Sequence, residues 1–224
     1  MTKPAAVVFD AYGTLLDVHS AMQRHAGRIG SDWAALSAAW RAKQLEYTWI
    51  RSLAGPAQHR DFAELTDLAL DFVAAQRGLT DPLLIADLRR SYRALQSYPE
   101  VPDMLHALRA RSIGTAILSN GEPGMLAEGV TAAGLDTLLD DVISVEAVGV
   151  YKPDPRVYAH TIARLGGDVS QLVFVSSNAW DAFAAGLAGF RVLWVNRSGQ
   201  PDEYGLRASA TELTDLASLP ALLG

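Results

Sequence analysis

A chain of 224 residues, half of them hydrophobic and a fifth charged, has an ordinary globular composition and lies far from the disordered regime. The formal net charge is -6, and the chain has no run of like charges. It therefore lacks the basic surface that nucleic-acid-binding proteins use. Because cysteine is absent, disulfides, thiolate metal sites and cysteine nucleophiles are excluded as well. The length fits one large domain, or a core domain carrying a smaller one.

The apolar run before Asp10 is too short for the hydrophobic segment of a signal peptide. No apolar stretch of the chain approaches membrane-spanning length. We therefore expect a cytoplasmic protein without a membrane partner.

Five short apolar runs rich in β-branched residues are the clearest pattern along the chain. They are residues 5–9, 115–118, 141–144, 172–175 and 192–195. Each is four or five residues long and does not alternate with polar residues, as is typical of strands buried on both faces of a parallel sheet.

Helical patterns separate these runs in the second half of the chain. Pro102 suits the first turn of one helix. Asp154 suits the N-cap of another, which runs from Pro155 to Leu165, and residues 179–188 predict a third. Strands that alternate with helices predict an α/β core, Rossmann-like, with a mostly parallel sheet and helices on both faces.

Residues 18–97 interrupt this alternation and contain no convincing strand. Ser31-Asp32 is expected to cap a long helix, and residues 62–76 and 82–96 predict two more. This region reads as a helical insertion into the α/β core.

We therefore predict a core of residues 1–17 and 98–224 that is split after its first strand by a helical cap subdomain of residues 18–97. Ligands of open α/β sheets bind beyond the carboxyl ends of the strands. An insertion that leaves from that edge is expected to form a lid over the site.

Four polar clusters follow four of the predicted strands, and the carboxyl ends of parallel strands meet at one edge. They are residues 10–14 (Asp-Ala-Tyr-Gly-Thr), 119–121 (Ser-Asn-Gly), 152–155 (Lys-Pro-Asp-Pro) and 176–181 (Ser-Ser-Asn-Ala-Trp-Asp). Gathered together, a carboxylate, a lysine and orienting hydroxyls form a candidate nucleophilic site. Taken singly, each cluster is as typical of a turn, a helix cap or a solvated side chain, and only their joint occurrence favours an active site.

The order of these residues resembles the four motifs of the haloacid dehalogenase superfamily. Asp10 with Thr14 matches the first motif, Ser119 the second, Lys152 the third and Asp181 the acidic fourth. The matches lie at both ends of the predicted core, so the resemblance covers essentially the whole chain.

Two departures from the superfamily pattern distinguish the branch. Its phosphatases usually carry a second aspartate two residues after the nucleophile, where this chain has Tyr12, and they hold Mg²⁺ with several acids of the fourth motif, where this chain has only Asp181. Fewer carboxylates weaken a hard-cation site and the charge compensation that phosphoryl transfer requires. A halide leaves without a proton, so the departures fit dehalogenation without a metal or another cofactor.

The four motif segments resemble the L-2-haloacid dehalogenase branch closely, and so do residues 40–49 (WRAKQLEYTW) of the insertion. This last segment lies outside the core, so superfamily membership alone does not account for it. Ala42 stands where relatives often carry Gln, and residues 54–60 differ, which bears on pocket shape and on the chain length of the substrate.

The resemblance implies hydrolysis of short L-2-haloalkanoic acids. Asp10 attacks the halogen-bearing carbon, inverts it and expels halide, and water then attacks the Asp10 carbonyl carbon of the ester. The products are a D-2-hydroxy acid and halide.

The implied site residues divide into catalytic and substrate-binding groups. The catalytic group is Asp10, Lys152 (which keeps Asp10 ionised and receives the substrate carboxylate), Asp181 and Asn178 (which position and activate water), and the orienting residues Ser176, Thr14 and Tyr158. The binding group is Ser119 with the backbone from Ala11 onward for the carboxylate, Arg41 and Asn120 for halide, and Tyr12, Leu45, Phe62 and Trp180 as an apolar wall. For Arg41 the ordinary alternative is a surface arginine, and for Leu45 and Phe62 it is core packing.

Two other functions remain open from the sequence: a Mg²⁺-dependent phosphohydrolase of the same superfamily, and a non-catalytic binding module on this fold. A hydride-transfer enzyme is disfavoured because Gly13 stands alone after the first strand, without a dinucleotide loop. The resemblance also implies a homodimer, with Trp33, Trp40, Trp49 and the lid helices as an apolar patch.

Overall fold

The structure, a computed structural model, describes residues 3–223. Residues 1, 2 and 224 of the predicted core lie outside the described residues. In chain order the strands are β1 (Ala6–Phe9), β2 (Leu16–Asp17), β3 (Gln96–Ser97), β4 (Gly114–Ser119), β5 (Asp141–Ser144), β6 (Leu172–Ser176), β7 (Arg191–Val195) and β8 (Thr211–Leu213). Six of them form one parallel sheet in the order β5-β4-β1-β6-β7-β8, while β2 and β3 form a separate antiparallel pair.

Eleven α-helices lie within the described residues. They are α1 (Ser20–Gln23), α2 (Ala26–Ile29), α3 (Trp33–Ala54), α4 (Phe62–Arg77), α5 (Pro82–Arg93), α6 (Val101–Ala110), α7 (Pro123–Ala132), α8 (Pro155–Arg164), α9 (Ala179–Leu187), α10 (Leu206–Ser209) and α11 (Leu219–Leu222). None of the helices within residues 3–223 is both long and apolar enough to cross a membrane.

The sheet grows outward from β1 in both directions. The chain adds β4 and β5 on one side and returns to add β6, β7 and β8 on the other. Right-handed crossovers in opposite directions place helices on both faces of the sheet, as predicted. The point where the strand order reverses lies at β1, and the carboxyl edge there is where ligands of such sheets bind.

All five predicted strands are present, and their lack of alternation has the expected cause. Every residue of β6 is buried, because the sheet is covered on both faces. The short edge strand β8, which pairs with β7, was not predicted. Its three residues offer too little pattern, and only the neighbouring strand makes it a strand.

Helices α1 to α5 lie between β2 and β3 and form the inserted region. In α3 the buried residues recur as a stripe facing α4, and they are Leu36, Ser37, Trp40, Gln44, Leu45 and Thr48. The expectation that residues 18–97 lack a strand is wrong, because Gln96 and Ser97 pair with Asp17 and Leu16. This ladder also ends α5 at Arg93, three residues before the predicted end.

Helix caps follow the sequence in one case and depart from it in another. The Asp154 carboxylate accepts from Arg156 N (2.9 Å) and begins α8 as predicted. Asp32 precedes α3 but makes no side-chain cap bond. Its ψ of 3° differs from the extended backbone that aims an N-cap side chain at the first turn, so the predicted cap is wrong.

The predicted apolar surface patch is corrected at Trp40, which is 1% exposed. Its Nε1 donates to Thr66 O (2.8 Å), and its ring lies 4.8 Å from that of Tyr92. Trp40 therefore belongs to the interior of the insertion. The large apolar side chains that are exposed nearby on α3 and α4 include Ile50, Leu53 and Phe72.

Candidate active site

The centre of the site is the carboxylate of Asp10, which directly follows β1 and is buried. Its backbone N–H donates to Val175 O (2.9 Å) and so extends the pairing of β1 with β6 by one residue. Three side chains donate to the carboxylate: Lys152 Nζ to Oδ1 (2.8 Å), and Thr14 Oγ1 (3.0 Å) and Asn178 Nδ2 (2.7 Å) to Oδ2. These donors fix its orientation from three separate loops.

Lys152 is the buried cation of the site. Its Nζ donates to Asp10 Oδ1, to Asp181 Oδ2 (2.6 Å) and to Leu118 O (3.1 Å), which uses all three ammonium hydrogens. Burial disfavours the charge, but the Asp10 and Asp181 carboxylates outweigh burial and raise the pKa of Lys152 above its ordinary value. The lysine is therefore a permanent cation between two carboxylates.

Asp181 lies in the first turn of α9 and is fully buried. Besides Lys152, it accepts from Tyr158 Oη to Oδ1 (2.6 Å) and from Ser176 Oγ to Oδ2 (3.1 Å). Burial raises the pKa of the Asp181 carboxyl, and the nearby charge of Asp10 acts in the same direction against the opposing Lys152. Asp181 is thus a stronger base than an exposed aspartate.

The turn after Asp10 requires a glycine at position 13. Gly13 has a φ of +94°, and a Cβ there would lie 3.2 Å from Ser177 Oγ. The turn is closed by the carbonyl of Ala11, which is fully buried and accepts from the backbone N–H of Leu15 (3.0 Å). Thr14 Oγ1 accepts from Ser177 N (2.9 Å), so the loops after β1 and β6 are joined.

The loop after β4 brings Ser119 and Asn120 to the same edge, where both are buried. Ser119 Oγ accepts from Gly121 N (3.1 Å), which leaves the hydroxyl hydrogen for another acceptor. Asn120 Oδ1 accepts from Lys152 N (3.0 Å), so the opposite end of its amide is the donor end. A Cβ at Gly121 would lie 3.0 Å from the ring of Tyr12, so this loop and the Tyr12 turn are in close contact.

Arg41 reaches the site from α3. Its Nη1 donates to Gln44 Oε1 (2.7 Å) and its Nη2 to Tyr12 O (3.2 Å). The expectation of a surface arginine therefore does not describe this side chain. Sequence reasoning did not single out Gln44, although it lies within the dehalogenase-like segment of residues 40–49.

Two cavities share Trp180 in their walls. One of about 330 Å³ is bordered by Tyr12, Arg41 and Asn178, and the other, of about 460 Å³, by Trp49 and Lys152. Trp180 meets Trp49 edge-on at 5.5 Å. The predicted wall residue therefore borders open space beside the two cations of the site.

Two other predicted wall residues are packed inside the protein. Leu45 belongs to the buried stripe of α3. Phe62 is fully buried, with its ring 5.3 Å from Tyr12 and 6.3 Å from Tyr151. The interior position of these two fits the alternative of core packing, and their contact with substrate stays a prediction.

A divalent cation would find few free oxygens at this site. Within residues 3–223 no group of three or more His, Asp or Glu side chains is arranged to hold a metal ion. The two carboxylates at the centre, Asp10 and Asp181, share the ammonium of Lys152. The donor set is thus matched to a fixed organic cation.

Comparison with known proteins relates this arrangement to a family. The haloacid dehalogenase-like hydrolase family matches residues 4–189. The chain is 45% identical over 219 residues to (S)-2-haloacid dehalogenase 1 of Pseudomonas sp. (strain CBS-3), covering 97% of this chain and 96% of that protein.

Two solved structures have the same fold over nearly the whole chain. A dehalogenase with an intermediate complex superposes with a TM-score of 0.95 at 42% identity, covering 99% of this chain and 98% of that one. The L-2-haloacid dehalogenase of Xanthobacter autotrophicus with covalently bound chloropropionic acid gives 0.88 at 35% identity, covering 100% and 98%. The fold is therefore similar to that of solved structures described as dehalogenases.

Proposed function

The chain belongs to the haloacid dehalogenase-like hydrolases, and from this premise we propose that it hydrolyses short L-2-haloalkanoic acids to D-2-hydroxy acids and halide. Asp10 forms a carbon–oxygen bond to C2 of the substrate as the carbon–halogen bond breaks, with inversion. Water then adds to the Asp10 carbonyl carbon, and the hydroxy acid leaves while the carboxylate and one proton are regenerated.

The observation that carries this proposal is the Asp10 carboxylate, buried and paired with Lys152, with Tyr12 where a phosphatase would have its acid. Burial raises the pKa of the Tyr12 hydroxyl well above its ordinary value, and the opposing charge of Arg41 does not reverse this effect. Tyr12 is therefore a poor proton donor for a leaving alcohol. A halide needs no such donor.

The contacts of Lys152 support one of its two predicted roles. All three of its hydrogens are donated to protein oxygens, which suits holding Asp10 ionised through the displacement step. We assign the substrate carboxylate instead to the free hydroxyl hydrogen of Ser119 and to backbone N–H groups from Ala11 onward. Arg41 and the amide of Asn120 would stabilise the departing halide.

The second step needs a base once Asp10 is esterified. We propose that Asp181 takes the proton of the hydrolytic water, which is positioned with Asn178. The raised pKa of Asp181 supports this role, because a more basic carboxylate accepts a proton more readily. Thr14, Ser176 and Tyr158 each donate to Asp10 or Asp181 and would orient the two carboxylates.

We further propose that residues 18–97 act as a cap subdomain on the core of residues 1–17 and 98–224. Arg41 reaching Tyr12 O and the packing of Phe62 on Tyr12 support this division. Cytoplasmic location and a homodimer remain predictions, and the exposed Leu53 and Phe72 on the insertion support a self-association surface. A sedimentation experiment that shows only monomer at micromolar concentration would contradict the predicted homodimer.

The decisive experiment measures halide release from L- and D-2-chloropropionate with EDTA present, beside phosphate release from a phosphomonoester with Mg²⁺. We expect chloride from the L-form only, and no chloride from Asp10→Asn. Phosphate release without chloride release would show that the protein is a phosphohydrolase and would contradict the proposed function. Neither activity in the folded protein would favour a non-catalytic binding module.

A further inference from the structure

Arg41 is held by its neighbours without being neutralised by them. It donates to the side-chain oxygen of Gln44 and to the backbone carbonyl of Tyr12, and the Tyr92 hydroxyl lies beside it; all three groups are neutral. Among the ion pairs of residues 3–223, none includes Arg41. The guanidinium has five N–H donors, and those not used on these two oxygens are available to the adjoining cavity of about 330 Å³.

The amide of Gln44 has one orientation because its neighbours dictate it. Thr66 Oγ1 donates its only hydrogen to Phe62 O (2.6 Å), so it must accept from Gln44 Nε2 (2.5 Å). This directs Gln44 Oε1 toward Arg41 and toward Tyr92, whose hydroxyl donates to it (3.0 Å). A flipped amide would instead present its NH₂ to a cation.

This group of Gln44, Thr66 and Tyr92, which we call the amide clamp, is closed to water. Gln44 is fully buried, and Thr66 and Tyr92 are nearly so. In a buried setting the hydrogen bonds are strong and an unpaired polar atom is costly, so the clamp resists rearrangement. A carboxylate in place of the amide would keep the hydrogen bond but cancel the charge of Arg41.

We propose that Gln44, oriented by Thr66 and Tyr92, is a positioning residue that aims Arg41 at the departing halide while leaving its charge uncompensated. The inference rests on the proposed dehalogenation. The neutral amide of Gln44 holds Arg41 in place without pairing its charge. The positive charge of Arg41 then remains to stabilise the departing halide.

The test is Gln44→Glu, which preserves the shape of the side chain and its acceptor toward Arg41 and Tyr92, but adds a negative charge and replaces the donor to Thr66 Oγ1 by an acceptor. We expect kcat for L-2-chloropropionate to fall roughly 10- to 100-fold, as for an altered hydrogen bond to a charged group. Inhibition by bromide should weaken by a similar factor. The loss should be smaller for L-2-bromopropionate, because bromide leaves more readily and depends less on Arg41.

A second pair of variants serves if Gln44→Glu does not fold. Thr66→Val removes the acceptor that orients the Gln44 amide, so kcat and bromide affinity should fall. Thr66→Ser keeps a hydroxyl at this position, so both quantities should stay near those of the parent protein. Thr48→Val is the matched control, since Thr48 is as buried as Thr66, lies on α3 with Gln44 and donates only to Leu45 O (2.7 Å). It should change neither quantity.

The outcomes separate the two proposals. If the parent protein releases halide but folded Gln44→Glu and Thr66→Val keep its bromide inhibition and its chloride-to-bromide rate ratio, the amide clamp is merely structural and this inference is overturned. If the parent releases no halide from either substrate, the proposed function is wrong and the inference falls with it.

Discussion

Lys152 in the core and Arg41 on the inserted α3 are two cations of one site, and their surroundings differ in charge. Lys152 lies between Asp10 and Asp181, so its single positive charge is shared by two carboxylates. Arg41 contacts only neutral oxygens. Removing the first cation leaves two carboxylates buried without compensation, whereas removing the second leaves none. The core cluster therefore couples activity to stability, and the insertion does not.

The largest expected effect comes from Lys152→Met. Loss of one partner from a buried charge cluster destabilises a protein by about 3–5 kcal/mol, because the remaining charges stay buried and unpaired. Halide release should fall by at least roughly 10³-fold, since the Asp10 nucleophile would lose the cation that holds and orients it. Urea denaturation and steady-state halide release measure the two losses.

Lys43→Met is the control for removing a lysine as such. Lys43 pairs with Glu46, which is exposed, within one turn of α3 (2.7 Å). Surface pairs of this kind contribute less than about 1 kcal/mol. A loss of equal size in both variants would contradict the view that the charge matching of Lys152 matters.

A smaller effect is expected for Arg41→Lys, which keeps the charge but removes the planar fork that spans Tyr12 O and Gln44 Oε1. We expect kcat to fall by about 10²-fold, as when one donor to a developing anion is lost. The free energy of unfolding should change by less than about 1 kcal/mol. If stability and activity fell together here, the contrast between the two cations would not hold.

The smallest effect is a difference in alkaline stability between the parent protein and Lys152→Met. The native pKa of Lys152 is raised above 10.5, so the folded state holds this proton longer than the unfolded state. Its stabilisation is complete below pH 10 and declines as pH rises past 10.5 toward the raised pKa. At pH 11 the parent should have lost at most about 0.8 kcal/mol of its advantage.

Thermal or urea unfolding of both proteins at a series of pH values from 8 to 11 checks the sign. An advantage of the parent that grew with pH would mean that the pKa of Lys152 is lowered in the folded state, with burial outweighing its two carboxylates.

Much of the site in the core could be predicted from the sequence, because several of its polar residues lie at the ends of apolar strand segments. Asp10, Ser119 and Ser176 each lie at the end of a non-alternating apolar run, and parallel pairing brings such ends to one edge. Lys152 lies well beyond the end of β5 at Ser144, so its meeting with Asp10, 142 residues away, was predicted from the motif resemblance and not from strand pairing alone.

The insertion was less readable because its contacts depend on helix packing. Nothing in residues 40–49 reveals that Gln44 meets Thr66 and Tyr92, which are 22 and 48 residues away. The burial of Trp40 depends on the same packing of α3 on α4. Amphipathic periodicity predicts which face of a helix is buried, but not which side chain of another helix it meets.

The two-residue ladder of β2 and β3 affects how this chain can be engineered. Leu16 faces Ser97, and Tyr98 N donates to Leu15 O (3.0 Å), so the insertion leaves and re-enters the core at neighbouring points. A segment whose two ends already touch can be lengthened, shortened or exchanged without displacing the strands that carry it. We therefore expect the inserted stretch to tolerate changes in length, provided that Arg41 and Phe62 keep their contacts with Tyr12.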